Sequence, residues 1–276
     1  MSASRHMGPI RREWRKLLAQ KRTYIGAIGL MLVPIIYSTA IYLSGHGAHD
    51  HGGATAIFLM NTRKNGLYIP LASLAAMSLF LLPLMAAMVG GFMLAGEAEK
   101  GTMRTMLLRP VRRGSVLMAK WVTGMLYLAV VLAMVLAAGI ISGWAFFGIK
   151  PMLIPGAVVS IWHGIGLTVL AYLVVLVLLS CMLSLAMLLS SFIDSSLTSA
   201  VVPVVVMIVV ELVLALSFFK TIRPYWFTSH SDAWFGLLQV PIKTKQIVEG
   251  LICFAAWSAG AMTLAWLIFR RRDILS

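Results

Sequence analysis

Acids are scarce in this sequence, so the few that stand together are the first candidates for chemistry. Glu97 and Glu99 lie two apart in Gly96–Ser115, GEAEKGTMRTMLLRPVRRGS, just ahead of Lys100, Arg104, Arg109, Arg112 and Arg113. Gly96 and Gly101 have the spacing of a phosphate-cradling loop. Thr102 stands where such a loop needs its lysine, and two carboxylates repel phosphate, so ATP binding here is rejected. His46, His49, Asp50 and His51, in GHGAHDHGG, form a donor set suited to Zn²⁺ or Cu²⁺. The glycines leave it without preorganisation and the spacing matches no metal signature, so a solvated loop is expected. Cys181 and Cys253 offer neither a disulfide framework nor ligand spacing and read as small apolar fillers. His163 is isolated and no Gly-x-Ser-x-Gly occurs, so a membrane-embedded hydrolase or transferase lacks its constellation. No catalytic residues and no resident metal or cofactor are expected on this chain.

The elements around these residues are apolar. Of 276 residues 60% are hydrophobic and 12% charged, with a mean hydropathy of +0.92; soluble domains are roughly 25% charged. Six runs reach the roughly 20 residues that a membrane-crossing helix needs: 24–43, 71–95, 117–147, 161–189, 197–219 and 247–269. Backbone groups in lipid must pair within their own segment, so the runs are predicted helices; the alternation of a membrane barrel is absent. The expected fold is an all-α polytopic membrane protein. A tail, 1–23, precedes one transmembrane domain, 24–276, and no polar segment is long enough for a soluble core. The first run is too long for a signal-peptide core and is read as a retained helix.

The net charge of +14 is distributed by side. Sixteen of the 23 Lys and Arg residues fall in the tail, between Lys100 and Lys120, or at Arg270–Arg272. The other seven are Arg63, Lys64, Lys150, Lys220, Arg223, Lys243 and Lys245, at the opposite helix ends. The positive-inside rule places both termini in the cytoplasm, and the basic ends against anionic headgroups. A folded basic face with stacking aromatics, as nucleic acid requires, is missing.

Two cytoplasmic segments are patterned. In Gly8–Arg22, Ile10, Trp14, Leu17 and Leu18 share one helical face opposite Arg11, Arg12, Arg15 and Lys16. Pro9 suits the first turn, and the helix is expected to lie in the interface with Trp14 at headgroup level. A plain surface anchor is the alternative to a further role. In Gly96–Ser115, Gly101 permits a sharp turn, Thr102 is a natural N-cap, and Met103–Leu108 is a predicted short helix with its positive end towards Glu97 and Glu99. Met103, Met106 and Leu107 share its apolar face, flanked by Arg104 and Leu108. Pro110 stops it, and Ser115 is a plausible cap for the third span. The face suits docking in a groove; a solvated loop is the alternative.

The ordered set Glu97, Glu99, Gly101, Thr102, Leu107, Leu108, Pro110, Arg113 and Lys120 resembles the signature of ABC-2-type exporter permeases, closest in flavour to the bacitracin-resistance type. The six spans and basic amphipathic start extend the resemblance over the whole chain. It implies that Met103–Leu108 is a coupling helix resting on a separate ATP-binding subunit, with the N-terminal amphipathic helix, through Arg11, Trp14, Arg15 and Leu18, as a second contact. It implies two permease chains, as a homodimer or heterodimer, with two ATPase chains in the cell's inner or plasma membrane, and ATP and Mg on the partner. It further implies that the second and fifth helices line the path and that Lys220–Gln246 dips back as short helices.

Glu211, deep in the fifth run, is costly in lipid and is a candidate for a cationic substrate or a proton-sensitive contact; a structural acid is the alternative. Pro83 and Pro203 are expected to kink spans two and five. Tyr225, Trp226, Phe227, Trp234 and Phe235 read as an interfacial belt. Gly139 and Gly143 form a small-residue pair usable for helix contact. Asp194 reads as a polar turn residue. A self-contained ion- or proton-coupled carrier is the rival function, but such carriers show repeats and several intramembrane charges.

Overall fold

A computed structural model describes residues 9–43, 62–99, 113–155, 157–193, 195–214 and 223–271, together with 216, 218 and 221. The helices are α1 (Pro9–Leu18), α2 (Lys21–Leu43), α3 (Tyr68–Ser78), α4 (Leu81–Glu99), α5 (Arg113–Phe147), α6 (Ile161–Ser190), α7 (Ser196–Leu214) and α8 (Thr244–Arg271). Five of them are long and apolar enough to cross a membrane, and α3 and α4 taken together, across a bent break, are long and apolar enough for a sixth. The protein is an all-α, multi-pass membrane protein. Its spans alternate in direction, so one end of the bundle gathers α1 and the ends of α4, α6 and α8 together with the start of α5. The other end carries an antiparallel hairpin, β1 (Met152–Ile154) with β2 (Ala157–Val159), in the register Met152↔Val159 and Ile154↔Ala157.

Helix α6 is central and touches α3, α4, α5, α7 and α8. Two of its buried hydroxyls bond back to their own helix: Thr168 donates to the Gly164 carbonyl at 2.9 Å and Ser184 to the Ser180 carbonyl at 2.7 Å. A hydroxyl that bonds back to its own helix enters an apolar interior at little cost. By contrast α2 turns Ile25, Ile28 and Ile36 outward, as a lipid-facing helix does.

Span two departs from the expected single kinked helix. It breaks at Leu79–Phe80 with a bend of 60° between α3 and α4. Pro83 is the third residue of α4, where its missing N–H is one of the donors a helix start leaves unpaired anyway. The proline therefore starts the second half rather than bending a continuous rod. In span five Pro203 lies inside α7, which ends at Leu214, short of the expected 219. Ser115 is not a cap, because α5 has already begun at Arg113.

The hairpin end is closed by backbone contact. Gly148 ends α5 at φ +71°, a conformation that favours glycine, and its carbonyl accepts the Gly66 N–H at 2.8 Å. A Cβ on Gly66 would lie 2.1 Å from the Gly143 oxygen. One on Gly139 would lie 2.9 Å from Pro70. The Gly139/Gly143 pair thus serves contact within this chain. Asn65, itself buried, donates to the Lys150 and Pro151 carbonyls and accepts from the Lys150 and Leu67 N–H groups.

The segment after span five contains short 3₁₀ helices at Arg223–Tyr225, Phe227–His230 and Ala233–Leu238. Only part of its aromatic set is available to a headgroup layer. Phe227 and Trp234 are buried, whereas Tyr225 is exposed. Trp226 meets Trp257 of α8 edge-on at 4.6 Å, and the Trp257 indole donates to the Tyr225 carbonyl at 2.8 Å. The belt expected there is mainly a plug packed on α8.

Candidate functional site

Residues 100–112, and with them Gly101, Thr102, Met103, Arg104, Met106, Leu107, Leu108 and Pro110, lie outside the described residues, as do the His46–His51 segment and Asp194. The structure describes what holds the two ends of that segment. Glu97 and Glu99 are in the last turn of α4, and Arg113 is the first residue of α5.

Seven residues into α5, Lys120 is buried. Its ammonium donates to Glu13 Oε2 and to the Met93 carbonyl, each at 2.9 Å. Met93 is six residues before the end of α4. Glu13 comes from α1 and is 5% exposed; its other oxygen accepts from Lys16 at 3.0 Å. Desolvating two charges costs several kcal/mol per ion, and only close charge-assisted hydrogen bonds offset it. Here both carboxylate oxygens and the ammonium have such partners.

The same helix is tied a second time. Thr23 Oγ1 donates to the Leu17 carbonyl at 2.9 Å, closing the elbow between α1 and α2, and Tyr127 of α5 donates to the Thr23 carbonyl at 2.7 Å. The buried stripe of α1 therefore centres on Glu13 and Leu17, with Trp14 packed beside them. Leu18 and Ile10 are exposed, and so are Arg11, Arg12 and Arg15. Protein packing covers the Glu13–Leu17 stripe, with an acid at its centre because Lys120 stands opposite, and leaves Ile10 and Leu18 on the outside.

A second clasp lies one turn before Glu97. Ser190, ending α6, accepts from the Ala95 N–H at 3.0 Å and donates to the Gly91 carbonyl at 3.2 Å. Ser199 of α7 donates to the Ser190 hydroxyl at 3.3 Å. Spans two, four and five meet here so closely that a Cβ on Gly91 would lie 2.6 Å from the Ser199 carbonyl oxygen. At the start of α5, Gly114 packs on Trp266 of α8, over which Arg270 stands at 5.7 Å.

Glu211 is not deep in its span. It lies three residues from the end of α7, is exposed on that helix, and has Arg223 within electrostatic reach. Pro83 and Pro203 are on α4 and α7, the two helices that pack along each other. Cys181 is buried and Cys253 half-buried, both as free thiols. Among the described residues no group of His, Cys, Asp and Glu side chains is arranged to hold a metal ion.

Sequence reasoning identified Lys120 but missed Glu13, Thr23, Tyr127, Ser190 and Ser199. One signal was available for the first: Ile10, Glu13 and Leu17 fall at i, i+3 and i+7, so the only acid of the tail sits on the apolar stripe.

A search of curated proteins finds no match. The family model described as ABC-2 family transporter protein matches residues 10–274, from the second residue of α1 to beyond the end of α8. With that match spanning α1, every span and both clasps, the chain belongs to the ABC-2 family of transporter membrane proteins.

Proposed function

We propose that this chain is the membrane-spanning permease subunit of an ATP-driven exporter, working through residues 100–112 on a separate ATP-binding subunit. The observation that carries the reading is the convergence at the base of that segment. Its two flanking helix ends, α4 and α5, are joined to each other and to α1 through Lys120. A segment that only connected two spans would need no buried ion pair at its root. In this reading Glu97, Glu99, Arg104, Met103, Met106 and Leu107 face the partner, which holds ATP and Mg. Two permease chains and two ATP-binding chains make the working unit, in the cell's inner or plasma membrane with both termini cytoplasmic. Helices α4 and α7 flank the path, and Glu211 stands near its outer mouth. Energy transfer requires that the ATP-bound partner favour one arrangement of the spans over another.

Purification of the chain from its native membrane in mild detergent, followed by mass spectrometry, tests this. A stoichiometric ATP-binding protein is expected, and it is expected to be lost when Glu99 and Arg104 are reversed in charge. A chain that emerges alone, under conditions that preserve known ABC complexes, would overturn the reading.

A further inference from the structure

The amphipathic helix at the start of the chain carries more than an anchor needs. A basic interfacial helix holds itself by apolar area and by attraction of its cations to anionic lipid. An acid on the buried side of such a helix helps neither. Glu13 is on that side, and its carboxylate meets a lysine from another span. Lys120 holds Glu13 of α1, and Tyr127, seven residues or about two turns further along α5, holds Thr23 at the start of α2. A single contact would allow α1 to swivel. Thr23 is in turn bonded to Leu17, so α1 is tied to α5 directly through Glu13 and indirectly through the start of α2, and the two ties oblige it to follow α5. The second partner of Lys120, the Met93 carbonyl, brings in α4. Arg11, Arg12 and Arg15 remain exposed, so whatever moves α1 also moves a row of guanidinium groups.

We propose that Glu13 is a positioning residue for energy coupling: through Lys120 it locks α1 to both helix ends that flank residues 100–112, so that the three move as one body. The proposal rests on the permease reading. When the ATP-binding subunit displaces the intervening segment, α4 and α5 cannot separate at Lys120, and α1 shifts its cationic face along the headgroup layer with them. Loss of the Glu13 charge frees α1 and leaves the push to dissipate in it.

The test uses the full complex of this chain with its ATP-binding subunit, in phosphatidylethanolamine–phosphatidylglycerol nanodiscs. Three quantities are followed: retention of the ATP-binding subunit, its ATP turnover with kcat and KM separated, and hydrogen exchange of the α1 amides. Glu13→Gln is expected to retain the partner and to leave KM for ATP unchanged. It should lower the turnover stimulated by the permease on the order of tenfold, the usual size of a coupling term, and speed exchange in residues 10–18. The exchanged pair Glu13→Lys with Lys120→Glu should restore both. Tyr127→Phe keeps the ring and removes only the second tie; a smaller loss of kcat in the same direction is expected, and this variant decides the matter if Glu13→Gln does not fold. Unchanged kcat in a variant whose α1 exchange has risen would overturn the proposal, as would an exchanged pair that restores α1 protection without restoring turnover. Absence of an ATP-binding subunit from the unmodified chain would instead overturn the permease reading, and the proposal with it.

Discussion

The two ends of the bundle are closed by different chemistry. At the hairpin end the chain is held by backbone against backbone. Gly66 bonds to Gly148 and leaves no room for a side chain against Gly143, and Asn65 fills every donor and acceptor it has with main-chain groups. At the α1 end one close glycine approach, Gly91 on the Ser199 backbone, is accompanied by ties made through side chains: an ammonium, a carboxylate and serine hydroxyls. Side chains can exchange partners by rotating a bond, whereas backbone in close contact can only part. The contrast says which end is built to keep one geometry and which can hold more than one.

Three substitutions break this comparison with falling force, each read as the loss of unfolding free energy derived from the shift of the thermal unfolding midpoint of the purified chain in mild detergent. Lys120→Ala should be the most damaging, by about 4 kcal/mol, because it strands the Glu13 carboxylate in a dry site. The double variant Glu13→Leu with Lys120→Met should recover most of that loss, since apolar residues of similar volume often replace a buried ion pair without cost; a double variant no better than Lys120→Ala would show that the pair is not the cause. Gly66→Ala should come next, at about 3 kcal/mol, since the clash is with backbone that cannot rotate away. A midpoint unmoved by Gly66→Ala would refute the welded character of the hairpin end. Ser190→Ala should cost least, about 1 kcal/mol. The Ala95 N–H and Gly91 carbonyl that it bridges are four residues apart in one helix and can close on each other once the hydroxyl is gone.

The spans were legible in the sequence because lipid demands long apolar runs, and the runs at 24–43, 117–147, 161–189 and 247–269 became helices within a few residues of those bounds. What was illegible depended on contacts between runs. Nothing apolar distinguishes Leu79 and Phe80 from their neighbours, so the break fell before the proline that announced it. The hairpin has a visible signal in MLIPGAVV, two apolar triplets around Pro-Gly, between the runs 117–147 and 161–189. Phe227 and Trp234 have the chemistry of an interfacial belt, and only the course of the chain over α8 turns them inward. The most instructive case is Glu13. Its partner lies 107 residues away, so an acid within a basic run could be noticed from sequence but not paired.

The Gly66–Gly143 contact has a mechanical consequence. It fixes α5 close to its far end, while Arg113 at the other end lies 30 residues away, about 45 Å along the axis. A rod pinned near one tip is a lever with a long free arm. A tilt of about 3° about the glycines would carry Arg113 sideways by about 2 Å over that span, while atoms beside Gly143 would hardly shift. The tight glycine seam at one face of the membrane is thus also the fulcrum for the other.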